Sequence, residues 1–95
     1  MAVAVDLNFP GATADQYDAA VKLIGHGATG TPHVGGALFH WAAVTNDGVR
    51  VVDVWDSREQ FERFSQERIV PAVQQAGMPA PEIEFFDIHN YLVAG

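Results

Sequence analysis

Asn46-Asp47-Gly48, set between two long runs of apolar and β-branched residues, constrains this chain more than any other feature. Asn, Asp and Gly tolerate the positive φ that a tight reversal needs. His33–Thr45 and Val49–Trp55 therefore read as antiparallel neighbours joined by a hairpin. Upstream, Val3, Val5, Leu7 and Phe9 alternate with Ala4, Asp6 and Asn8, which makes Ala2–Phe9 a half-buried strand ended by Pro10-Gly11. Thr13 can cap a helix from Ala14 to about Ile24, whose Tyr17, Val21 and Ile24 fall on one stripe. Downstream, Ser57 with Gln60 reads as a capping box for a second helix carrying Phe61, Phe64, Ile69 and Val73. Pro71 removes a backbone donor in mid-helix and predicts a break or restart near Val70. Gly77 stops that helix, and Glu82–Leu92 reads as a last strand. The order is strand, helix, strand, strand, helix, strand: an α+β, ferredoxin-like βαββαβ domain with a four-stranded antiparallel sheet.

The chain has 95 residues, the length of one domain, so residues 1–95 are expected to form a single unit. Charged residues are only 18% against 48% hydrophobic, and both helices of this fold lie on one sheet face. The bare face must then be polar, bind something, or meet a second copy. A formal charge of -7 argues against nucleic acid and anionic membranes as partners. Arg58, Arg63 and Arg68 are separated by acidic residues and read as a solvated face. No cysteine is present, which excludes a thiol nucleophile and a zinc–thiolate site. No stretch approaches a membrane span or a leader, so the expected location is the cytoplasm.

Alternation sorts the strands into faces. Val5 and Leu7, Val52 and Val54, and Phe86, Ile88 and Leu92 suit the helix side. That leaves Asp6, Asn8, Val51, Asp53, Trp55, Phe85, Asp87, His89 and Tyr91 on the open side. The second strand is ambiguous, because Leu38/His40/Ala42 and Phe39/Trp41/Ala43 are both candidate core sets. His40 is placed on the open side, where it would join the other polar groups. Aromatics with a few convergent polar groups are the composition of a small-molecule pocket.

The segment Val51-Val52-Asp53-Val54-Trp55-Asp56-Ser57-Arg58-Glu59-Gln60-Phe61-Glu62-Arg63-Phe64, together with Pro71 and Gly77, resembles the dimeric α/β-barrel superfamily, and within it the antibiotic-biosynthesis-monooxygenase-like group. The resemblance covers essentially the whole chain. It implies a homodimer with two sheets packed face to face. It also implies a cavity between each sheet and its helices, or at the open face. Members include cofactor-independent monooxygenases acting on polycyclic phenols, haem-degrading enzymes and isomerases. The haem-degrading branch uses an Asn on the first strand, matched by Asn8, and a Trp and a His on the second helix. Phe64 stands in the Trp position, and no His lies between Ser57 and Gly77, so haem degradation is not expected.

His40 and His89 are the candidate general bases, each oriented by Asp53 or Asp87. Such a base would deprotonate a phenol or an acidic C–H, and the anion would react with oxygen without a cofactor. Asn8, Trp41, Trp55, Phe85 and Tyr91 are the candidate substrate contacts. No metal is expected: His26, His33 and His40 are evenly spaced across a loop and a strand, where equal spacing has no geometric meaning. Gly25-His26-Gly27-Ala28-Thr29-Gly30 matches a dinucleotide fingerprint in letters, but it follows a helix and precedes a strand, the reverse of what phosphate binding needs. It reads as a connector, with a pocket lid as the functional alternative. Ser57 reads as a cap and not a nucleophile. Two functional readings stand: an enzyme of the monooxygenase or cyclase/isomerase kind, and a non-catalytic ligand-binding or stress-associated barrel.

Overall fold

A computed structural model describes residues 2–25 and 36–92. The glycine-rich connector after Gly25, with His26 and His33, and the beginning of the expected second strand lie outside the described residues. Four strands, β1 (Val3–Pro10), β2 (Ala37–Thr45), β3 (Gly48–Trp55) and β4 (Glu82–Asp87), form one sheet in the order β2-β3-β1-β4. Every pairing is antiparallel, as the ferredoxin-like reading requires. The helical layer is α1 (Ala14–Ile24), α2 (Arg58–Phe64), a π-helical turn over Ser65–Ile69, and α3 (Val70–Gln75).

Local chemistry explains the element ends. Thr13 and Gln16 close a reciprocal capping box on α1, and Gly25 ends that helix in the left-handed conformation. At α2 the Ser57 hydroxyl accepts the Gln60 N–H at 3.2 Å. In the hairpin, the Thr45 hydroxyl accepts the Asp47 and Gly48 backbone N–H groups. Gly48 is required there, because a Cβ would collide with the Phe9 carbonyl oxygen.

The restart expected near Val70 is where regular helix begins again, as α3. One π turn absorbs the proline: Val70 N–H bonds back to the Ser65 carbonyl, and regular helix resumes with Pro71 in its first turn. A proline is tolerated at the start of a helix because its missing donor would find no partner there. Arg68, read as part of a solvated face, reaches across to cap α1, donating from its guanidinium to the Ile24 carbonyl. Arg58 keeps an exposed pair with Glu62 and also stacks over the Phe85 ring at 3.9 Å.

The core lies between sheet and helices. Val3, Val5, Leu7 and Phe9 supply it from β1; Val49, Val51 and Trp55 from β3; and Phe61, Ala72, Val73 and Met78 from the helical side. Phe61 sits edge-on to both Trp55 and Phe85, with ring centroids 5.7 Å away in each case.

Register corrects three face assignments. Directly opposed residues share a face, and Val5 opposes both Asp53 and Phe85. Val51, Asp53, Trp55, Phe85 and Asp87 therefore take the helix side, while Val52, Val54 and Phe86 take the open side. His40 opposes Asp53, so it too lies on the helix side, and Phe39 and Trp41 face outward. The last strand ends at Asp87, earlier than the expected Leu92. Two physical reasons underlie the difference: Asp53 finds donors inside the protein, and Ile88 and Leu92 lie beyond the strand and do not share its phase.

Candidate active site

On the helix side of the sheet a chain of hydrogen bonds joins α1, β2 and β3. The Tyr17 hydroxyl lies 2.9 Å from His40 Nε2. His40 Nδ1 lies 2.6 Å from Asp53 Oδ1, and the Trp55 indole N–H donates to Asp53 Oδ2 at 3.2 Å. The second carboxylate oxygen is therefore held by a group that can only donate. An ionised Asp53 can only accept, so His40 carries its proton on Nδ1. Nε2 is then the acceptor nitrogen, and the Tyr17 O–H donates to it.

The two members of the central pair differ in their access to water. Asp53 is buried, its side chain 11% exposed, whereas the His40 side chain is 41% exposed. Ala42 and Val44, on the same face of β2, are exposed as well. The helices thus cover β1 and β3 but leave the inward side of β2 open, and His40 stands at that margin. Tyr17 is half-buried there, and its phenol pKa is pushed up to about 12, first by burial and then by the Asp53 and Asp18 charges.

Of the residues singled out by sequence, His40, Asp53 and Trp55 come together, on the opposite face from the one expected. Phe85 packs behind them in the core, against Phe61. Asp87 ends β4 and is exposed, and His89 and Tyr91 lie beyond the strand and are exposed. Trp41 and Asn8 are on the open face, where the Asn8 amide donates to Glu82 at 3.2 Å. In the sequence Tyr17 stands out only as part of an apolar stripe. The signal that could have found it is chemical: a tyrosine turned toward a core needs a partner for its hydroxyl.

The open face divides in two. Phe39, Trp41 and Phe86 are 47%, 40% and 50% exposed and flank Val52, Val54 and Ala4. The other half holds a shallow hollow of about 410 Å³, bordered by Asp6, Asn8, Arg50, Glu82 and Glu84. Arg50 clasps Asp6 through two bonds of 3.1 and 2.5 Å, and that hydrogen bond raises the guanidinium pKa further. Among the described residues no group of three or more His, Asp or Glu is placed to hold a metal ion. No helix among them is long and apolar enough to cross a membrane.

No protein-family model matches the chain, and no curated protein is similar to it in sequence. Solved structures are similar in fold. One is a protein from Chloroflexus aurantiacus J-10-fl assigned to the antibiotic biosynthesis monooxygenases; it is 23% identical, with all of both chains covered and a TM-score of 0.61. SnoaB, a cofactor-independent oxygenase from Streptomyces nogalater, is 16% identical over 96% of this chain and 95% of its own, with a TM-score of 0.61. The ActVA-Orf6 monooxygenase of Streptomyces coelicolor, solved with Nanaomycin D, is 17% identical over 99% and 92%, with a TM-score of 0.58. The chain therefore has the ferredoxin-like α+β fold of the antibiotic biosynthesis monooxygenase-like proteins.

Proposed function

We propose that this protein is a cofactor-independent oxygenase of small aromatic or polyketide-like phenols, with His40 as general base and Asp53 as the group that orients it. The observation that carries this reading is the 2.6 Å contact between His40 Nδ1 and Asp53 Oδ1, at a margin where the imidazole stays accessible. A carboxylate on Nδ1 fixes the tautomer and stabilises the imidazolium that forms when Nε2 takes up a proton. The substrate anion left behind is electron-rich enough to reduce dioxygen. For an anthrone, one oxygen atom becomes the new carbonyl and the other leaves as water with the two methylene hydrogens. The oxygenases among the structures of the same fold support this choice of chemistry.

The test is oxygen uptake with dithranol, a tricyclic dihydroxyanthrone. Wild-type protein should consume oxygen and form the quinone, and His40→Ala should lose about 10²–10⁴-fold in rate, the usual worth of a positioned base. Equal uptake by the two proteins would remove His40 as the base.

The reading includes a homodimer closed over the open sheet face, because Phe39 and Trp41 on β2 and Phe86 on β4, exposed on one face around Val52, Val54 and Ala4, mark an interaction surface. Trp41→Glu should halve the mass found by light scattering. A wild-type monomer would exclude that assembly. The Asp53 network supports a second, non-catalytic reading, since both carboxylate oxygens are already satisfied. In that case His40→Ala would lower the melting temperature and abolish no turnover.

A further inference from the structure

We propose that Tyr17 is a catalytic residue: its phenol touches the substrate and relays the substrate's proton to His40. This rests on the reading of His40 as the base. A neutral imidazole has one acceptor nitrogen. With Nδ1–H committed to Asp53, that acceptor is Nε2, and the Tyr17 hydroxyl occupies it at 2.9 Å. The Tyr17 oxygen keeps its lone pairs for a second partner, so a proton that reaches Nε2 without displacing the phenol passes through that oxygen. Its position is fixed, because Tyr17 begins the second turn of a capped helix, with its backbone N–H on the Thr13 carbonyl at 3.0 Å.

The transfer balances without any co-reactant. The Tyr17 O–H bond breaks as its proton moves to Nε2, and a new O–H bond forms with the proton leaving the substrate. The substrate is left as its anion, and His40 as an imidazolium beside the Asp53 carboxylate. Tyr17 is hydrogen-bonded as before, now to the substrate anion. Burial keeps the phenol neutral far above physiological pH, so Tyr17 cannot act as a base alone. It passes a proton only when His40 accepts one.

Proton transfer can be read apart from oxygen chemistry, as deuterium exchange into the methylene of dithranol in deuterium oxide under nitrogen. Binding of the probe is followed by quenching of tryptophan fluorescence. Wild type should accelerate exchange, and His40→Ala should return it to the uncatalysed rate. Tyr17→Phe should slow exchange at saturating probe by about 10²-fold or more, with affinity changed only slightly. If Tyr17→Phe exchanges at the wild-type rate while His40→Ala does not, His40 reaches the substrate directly and the relay is overturned, with the base reading intact. If wild type fails to accelerate exchange, or His40→Ala retains it, the base reading falls and the relay with it. Should Tyr17→Phe fail to fold, difluorotyrosine placed at the same position keeps the shape and alters the acidity of the hydroxyl. An unchanged exchange rate in that protein overturns the relay.

Discussion

Two aspartates on opposite faces of one sheet show how surroundings decide what a carboxylate does. Asp6, on the open face, is clasped by Arg50 in a bidentate pair that water reaches, with Glu82 and Glu84 nearby. Asp53, on the helix face, is held by a histidine and an indole and sits among Val5, Val51 and Trp55. The outer pair is screened by solvent and salt, and exposed pairs of this kind contribute little to stability. The inner one fixes a tautomer and aims a ring, because its partners are rigid and its dielectric is low. Chemistry is therefore expected from the inner carboxylate, and solubility or assembly from the outer.

The comparison can be broken most severely through the core that holds the inner face in place. Phe61→Ala should cost about 3–5 kcal/mol in a denaturant titration, since it empties the space between Trp55 and Phe85. A loss below about 1 kcal/mol would mean that the inner face is loosely packed. Asp53→Asn should come next, at about 1–3 kcal/mol. One of its two donors, His40 Nδ1–H or the indole N–H, loses its acceptor, and dithranol turnover should fall with stability.

Tyr17 gives a smaller effect with a definite sign. Its folded-state pKa, about 12, lies above the ordinary 10.0, so the folded protein holds this proton where the unfolded chain has lost it. The resulting stability is complete below pH 10 and is lost as pH rises through about 12. Melting curves across that window should fall more steeply for wild type than for Tyr17→Phe, and parallel curves would count against it. The smallest effect belongs to the outer face. Asp6→Asn should shift the melting temperature slightly at low ionic strength and not at all in high salt. A salt-independent loss would put Asp6 in the same class as Asp53.

Much of the architecture was legible residue by residue. The Thr13 cap and the Tyr17/Val21/Ile24 stripe placed α1 over Ala14–Ile24, and Asn46-Asp47-Gly48 placed the hairpin. These signals are local, carried by backbone conformations and periodicities that one segment specifies by itself. The sequence left His40 and His89 as alternatives beside Asp53 or Asp87, and the structure brings His40 into contact with Asp53. The side of the sheet on which they meet was not anticipated.

That side depends on register. A strand such as Val49–Trp55 offers two alternating sets of comparable hydrophobicity, one with Asp53 and Trp55 and the other with Val52 and Val54. Each strand's own pattern leaves the choice open, and pairing with β1 decides it, because opposed residues must share a face. By itself the sequence determined the order of elements, their caps and the antiparallel sheet. Only the tertiary structure decided that a charged residue belongs inside, since a buried carboxylate is tolerated once donors from β2 and β3 satisfy it. It also decided that Tyr17, far away in sequence on α1, completes the chain of hydrogen bonds.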